Sequence, residues 1–250
     1  MTARPWVLGT LAPLLGLVAC GSEEERTELT VLAASSLTEA FDILERTYES
    51  EHADVDVVLS YDSSASLAAQ VIEGAPADVL ATADLQTMEA VAEAGLVEGE
   101  PQPFATNTLV LVTPPDNPAA VRELADLAAD DVLFAVYVET APCGDAARRL
   151  LELADVTAEA VTEEDNVKGV LTKVVAGEVD AGLVYASDAQ AAGDDVVVVP
   201  VEGSDEVVNV DPIAVLAESE HPEAARDWVD LVLSEQGATL LDDLGFGPVP

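Results

Sequence analysis

The chain has 250 residues, half of them hydrophobic, and carries 49 acidic residues against nine Lys or Arg, a formal charge of -40. That is enough apolar material for one large domain or two smaller lobes. The only adjacent basic pair is Arg148-Arg149, which excludes nucleic acid as a partner, and the scattered acids describe a solvated surface.

Residues 1–19 have the organisation of a signal peptide. Arg4 precedes an apolar stretch over 6–19 that is too short and too interrupted by proline to span a membrane. Leu17-Val18-Ala19-Cys20, followed by Gly21-Ser22, resembles a bacterial lipoprotein processing box. The resemblance implies cleavage before Cys20, lipid on its thiol, and a polar tether over 20–28; an ordinary secretory signal with a chance cysteine is the alternative. With Cys20 lipidated, Cys143 has no disulfide partner.

From Leu29 onward, extended runs alternate with helix-period runs. A strand over 29–34 leads into a helix marked by Leu37, Ala40, Phe41, Leu44 and Tyr48. Val55, Val57, Leu59 and Tyr61 alternate as a strand, and a helix from about Ala65 stops at Gly74. A short strand at 78–82 and a helix ending at Gly95 follow. A proline-rich stretch, 100–104, precedes a strand over 108–113, and Pro114-Pro115-Asp116-Asn117-Pro118 breaks the chain. The second series predicts a helix near 119–129, a strand over 132–138, helices over 144–153 and from 167 to Gly177, and strands over 181–185 and 196–201. Residues 207–216, with Pro212 inside, form a return crossing, and two helices close the chain.

This alternation implies an α/β fold with mainly parallel sheets flanked by helices. Two such series joined by extended crossings imply two lobes with a ligand cleft between them, the first built from 29–107 and 209–250, the second from 108–208. Ligands of open α/β sheets bind beyond the carboxyl ends of the strands. Ser36 and Ser64 each stand there, where an extended run becomes a helix. Helix starts leave N–H groups unpaired, so two converging starts can hold an oxyanion. Two further junctions have the same character: Glu139 to Gly144 and Glu163 to Val167. Taken singly, the same residues have plainer readings. Ser36 with Glu39 fits a capping box, Ser64 a helix cap, and Tyr185 a half-buried core aromatic. Asp62 and Asp165 flank the junctions as turn residues facing away from the anion.

Six segments in order, Ala-Ala-Ser-Ser-Leu-Thr (33–38), Ser-Ser-Ala-Ser-Leu-Ala (63–68), Gly-Ala-Pro-Ala-Asp-Val (74–79), Pro-Cys-Gly (142–144), Asp-Asn-Val-Lys-Gly-Val-Leu (165–171) and Gly-Leu-Val-Tyr-Ala-Ser-Asp-Ala (182–189), resemble the periplasmic molybdate-binding proteins of ABC transporters. The resemblance covers about Leu29 to Phe246 and implies the type II periplasmic-binding fold. It implies a tetrahedral oxyanion, molybdate or tungstate, held without a counter-charge. The ligands would be Ser36, Ser64, the N–H groups of Cys143 and Val167, and the Tyr185 hydroxyl. Cys143 stands where such proteins often have alanine, and the segment before it is about one residue shorter. The same resemblance implies a monomer with no cofactor and no cation site, delivering its ligand to a membrane permease outside the cytoplasm.

Two rival classes are weaker. A sulfate-like oxyanion or ferric iron could occupy the same fold, the acidity favouring a cation. A ferric site needs clustered Tyr, His or carboxylates, whereas Tyr occurs at 48, 61, 137 and 185 and His only at 52 and 221. A hydrolase lacks a Gly-x-Ser-x-Gly elbow and an evident nucleophile–base pair, so catalysis is rejected.

Overall fold

A computed structural model describes residues 26–165 and 167–249. The signal peptide and the proposed lipidation residue Cys20 lie outside the described residues.

The first strand, β1 (Thr27–Ala34), is buried on both faces from Val31 onward because it is central. It pairs in parallel with β2 (Val55–Asp62) on one side and β3 (Val79–Ala81) on the other. The intervening helices are α1 (Thr38–Glu51), entered through a 3-10 turn over Ser35–Leu37, and α2 (Ser64–Ile72). In α1, Ala40, Phe41, Leu44 and Tyr48 form the buried stripe that the spacing predicts. Helix α3 (Leu85–Glu93) is capped by Asp84, whose side chain accepts the Thr87 N–H at 2.7 Å.

Strand β4 (Gln102–Thr113) is twice as long as predicted. It absorbs the proline-rich stretch, with Pro103 placed where the ladder shifts register against β9 (Val208–Val215). The first part of β4 pairs with β9. The rest pairs with β7 (Ala181–Tyr185) and the short β8 (Val197–Val199). Strand β9 is the return crossing; it also pairs antiparallel with β3. On the far side β5 (Phe134–Tyr137) lies parallel to both β7 and β6 (Thr162–Glu164). The sheet among the described residues therefore runs β2-β1-β3-β9-β4-β7-β5-β6.

The second half also holds α4 (Pro142–Leu153), α5 (Val167–Val175) and α6 (Ala186–Ala192). Helices α7 (Pro222–Leu233) and α8 (Glu235–Asp243) follow β9. Trp228 of α7 meets Phe41 and Tyr48 of α1 edge-on, with ring centroids 5.6 and 5.7 Å apart. The chain's last helices thus rest on its first.

Three expectations change. The helix near 119–129 is only a 3-10 turn, Leu124–Ala128. Its buried residues, Val121, Leu124 and Leu127, recur every three positions, and positive φ angles at Asn117 and Ala120 break the chain before it. Strand β6 and helix α6 are additions. Thr-Glu-Glu has no strand-forming alternation of its own and is extended because β5 offers it a parallel partner.

Candidate functional site

Six parallel strands, three from each half of the sheet, aim their carboxyl ends at one small cavity of about 30 Å³. Its wall consists of Ala34 to Ser36 after β1, Asp62 to Ser64 after β2, and Ala83 after β3. Opposite stand Tyr137 and Ala141 to Cys143 after β5, Asp165 after β6, and Tyr185 at the end of β7. The volume exceeds what one water needs and falls far short of a sugar or a peptide.

Of the five residues expected to bind an oxyanion, Ser36, Ser64, Cys143 and Tyr185 line this cavity. All four are buried. Val167 is the first residue of α5, two positions beyond Asp165 on the wall.

Local structure decides what each hydroxyl does. Ser36 sits in the 3-10 turn and caps nothing; its buried Oγ has no hydrogen-bond partner. Glu39, which a capping box would have used, reaches instead to Lys168 of α5, at 2.7 and 2.9 Å. The residue that caps α2 is Ser63, not Ser64. That leaves the Ser64 Oγ to accept the Ala83 N–H at 2.9 Å, with its own proton free. The Tyr185 oxygen accepts from the Asn209 Nδ2 at 2.7 Å, so its proton is free as well. Burial, first of all, pushes the Tyr185 phenol well above its ordinary value, so it stays a donor.

Cys143 is the second residue of α4, behind Pro142 in the first turn. Its N–H is among the first-turn donors that a helix leaves without an intrahelical acceptor. Gly144 lets α4 start this close to β5, since a Cβ there would lie 2.1 Å from the Val138 carbonyl oxygen. Burial pushes the Cys143 thiol well up, which keeps it neutral.

Tyr137 was not singled out by the sequence. Its hydroxyl is buried beside the Cys143 thiol, and burial, first of all, pushes its pKa well up. Only its place at the carboxyl end of an apolar strand hints at it. Asp62 and Asp165 depart from expectation, since both line the cavity rather than face away from it. Asp165 is exposed and Asp62 half-buried, so both stand toward the mouth rather than among the buried hydroxyls. The Asp62 Oδ1 is engaged by the Ser63 N–H at 2.7 Å.

Behind the second wall Asp188 of α6 is buried, with the Lys168 Nζ 3.6 Å away. Burial pushes its carboxyl up to about 7, against the pull of the Lys168 ammonium. No group of three or more His, Cys, Asp or Glu residues able to hold a metal ion occurs among the described residues.

Two lobes closing on a donor-lined cavity define a solute-binding protein. The profile of the bacterial extracellular solute-binding proteins matches residues 29–247, and the chain belongs to that family. The chain is 39% identical over 241 residues to the molybdate-binding protein ModA of Mycobacterium tuberculosis, covering 92% of each. Among solved structures it is similar to the substrate-binding domain of a putative molybdenum ABC transporter from Clostridium difficile. There the TM-score is 0.68 at 30% identity, with 90% of this chain and 100% of the other covered. The periplasmic molybdate-binding protein of Azotobacter vinelandii shares the fold, with a TM-score of 0.76 at 19% identity over 89% of this chain and 99% of that one. The family binds solutes rather than transforming them, and the protein is not an enzyme.

Proposed function

We propose that the protein captures molybdate, and tungstate with it, outside the cytoplasm and hands it to an ABC-transporter permease. The observation that carries this reading is the state of the hydroxyls. Ser64 and Tyr185 each have an acceptor side filled by a protein N–H, so each has a proton to donate into the cavity. Ser36 adds a buried hydroxyl that the protein leaves unpartnered, and Tyr137 a further buried hydroxyl beside the Cys143 thiol. In this reading the ligand contacts are the hydroxyls of Ser36, Ser64 and Tyr185 and the N–H groups of Cys143 and Val167. A fully deprotonated dianion accepts from every direction. Hydrogen phosphate brings a proton that would need an acceptor; the Asp62 and Asp165 carboxylates are more exposed than the buried hydroxyls, and a proton desolvated among those donors is unpaired and costly. The kinship with ModA, on nearly the full length of both chains, supports the same ligand.

The lobes comprise 29–107 with 209–250, and 108–208. The pairing of β9 with β3 and the packing of Trp228 on α1 support that division. Closure is a hinge motion, and the closed form is what the permease recognises. The protein acts as a monomer, held at the membrane by lipid on Cys20 and needing no cofactor.

A thermal-shift panel on the chain that begins after Cys20 tests the reading. Molybdate and tungstate raise the melting temperature, because a ligand of the native state stabilises it by mass action. A phosphate or ferric-iron shift equal to the molybdate shift would overturn it.

A further inference from the structure

Asn209 stands on β9 opposite Asn107 of β4, where the two crossing strands pass from one lobe to the other. It is buried, and one atom of its amide faces three groups. These are the Ala83 carbonyl oxygen at 3.1 Å, the Pro142 carbonyl oxygen at 3.4 Å, and the Tyr185 hydroxyl at 2.7 Å. Ala83 follows β3 in the first lobe, and Pro142 opens α4 in the second.

Two carbonyl oxygens can only accept, so the amide atom between them must be the nitrogen. A nitrogen with two protons and no free lone pair can only donate. The third neighbour, Tyr185, is therefore compelled to accept, and its own proton has to point elsewhere. Tyr185 lines the cavity, which offers that proton a place to point.

We propose that Asn209 is a positioning residue that fixes the Tyr185 hydroxyl as a donor to the bound oxyanion, and that this orientation helps the site to reject protonated oxyanions. The inference rests on the ligand reading above and deepens it. Without Asn209 the phenol can rotate and present a lone pair to the cavity. That lone pair would accept the proton of hydrogen phosphate and would repel an oxygen of molybdate. The same amide ties the Ala83 and Pro142 carbonyls across the cleft, so a role in closure alone is the competing explanation.

A double-mutant cycle separates the two, read as molybdate affinity by calorimetry on the chain that begins after Cys20. Tyr185→Phe comes first and weakens molybdate binding at least tenfold; wild-type affinity in this variant refutes the placement of Tyr185 among the ligands, and the inference with it. Asn209→Ala then weakens binding about tenfold beside Tyr185 but less than twofold in the Tyr185→Phe background. Equal losses in both backgrounds mean that Asn209 only holds the lobes together, and they overturn the inference while the ligand site stands. Asn209→Asp supplies a second reading should the alanine variant fold poorly. Its carboxylate accepts the Tyr185 proton and turns a lone pair toward the ligand. Its added charge opposes hydrogen phosphate and molybdate dianions alike at pH 8, so the preference between them reports orientation. That preference falls at least tenfold in Asn209→Asp. A preference equal to the wild type's, or phosphate still undetectable while molybdate binds as before, overturns the inference.

Discussion

The two lobes repeat one plan with different chemistry. In the first, the order β2-β1-β3 is parallel and β9 closes it antiparallel; in the second, β6-β5-β7 is parallel and β4 closes it antiparallel. Each lobe is thus completed by a strand that the other half of the chain delivers. Equal topology brings three strand ends and a helix start to the cavity from each side, yet the first wall presents serine hydroxyls and the second presents phenols. Each lobe also buries a carboxyl that burial pushes up, Asp211 of β9 in the first and Asp188 of α6 in the second, and of the two only Asp188 has an ammonium, that of Lys168, beside it. The comparison separates what the fold supplies, a convergence of strand ends, from what the side chains supply, the direction in which each proton points.

The largest expected effect concerns the buried carboxyl of the second lobe. The Asp188 carboxyl is raised to about 7 in the folded protein, whereas an unfolded aspartate titrates near its ordinary value of 3.8. Stability from this group is fully present below about pH 4 and is lost as pH rises through about 7, by up to roughly 4 kcal/mol. Asp188→Asn should therefore reduce the pH dependence of urea unfolding across that window, leaving the part that the buried Asp211 contributes. A variant profile parallel to the wild type's would show that Asp188 is charged throughout.

The serines of the first wall should separate next. Ser36→Ala and Ser64→Ala are each expected to weaken molybdate binding by about 1.5–3 kcal/mol, the range for a hydrogen bond to a charged group. Their stabilities differ. Ser64→Ala removes the acceptor of the Ala83 N–H and costs about 1–3 kcal/mol of fold stability, whereas Ser36→Ala removes an unpartnered hydroxyl and costs little. Calorimetry with and without ligand checks both; unchanged affinity in both variants would dismiss the first wall as a ligand surface.

A smaller effect belongs to the bridge between the lobes. Lys168 reaches Glu39 across the cleft, with both side chains a third or more exposed, so the pair contributes about 0.2–1 kcal/mol. Lys168→Gln should weaken molybdate binding by less than tenfold, and more at low salt than at high. A hundredfold loss would make Lys168 a ligand rather than a bridge.

The smallest effect is kinetic. A surface of net charge near -40, with Asp62 and Asp165 at the mouth, repels an approaching dianion, whereas the hydroxyl and N–H contacts act at short range. Salt shortens the Debye length to about 10 Å at 0.1 M and about 3 Å at 1 M. The molybdate association rate should therefore rise modestly with NaCl, and Asp165→Asn should raise it at low salt. Stopped-flow fluorescence of Trp228, buried against Phe41 and Tyr48, offers the signal. A rate that falls with salt would point to a cation within the cleft.

Much of the molecule was legible before the structure. Strands β1, β2, β5 and β7 and helices α1, α2, α3, α7 and α8 lie close to where hydrophobic spacing and glycine stops put them. The wall residues Ser36, Ser64, Cys143 and Tyr185 were named from motif order. What escaped had weak local signal. The 3-10 turn at 124–128 carries apolar residues that also suit a helix, and β6 is extended only because β5 lies beside it. Tyr137 is one aromatic in an apolar strand, like many core residues. Asn209 sits in a run of valines, and nothing near it in sequence marks it as different.

By itself the sequence determined the alternation of strands and helices, because apolar spacing sets which face each element buries. It also determined that serines and a glycine-bearing helix start stand at strand ends. The tertiary structure alone decided the rest. Ser63 rather than Ser64 became the cap of α2, and Ala83, 19 residues further on, supplies the Ser64 oxygen with its donor. Tyr185 acquired its orientation from Asn209, 24 residues away, and Asp188 its raised pKa from burial behind the second wall. A hydroxyl can donate or accept, and a carboxyl can be charged or neutral. Neighbours distant in sequence choose between those states, so the chemistry of this cavity is fixed only when the two lobes fold around it.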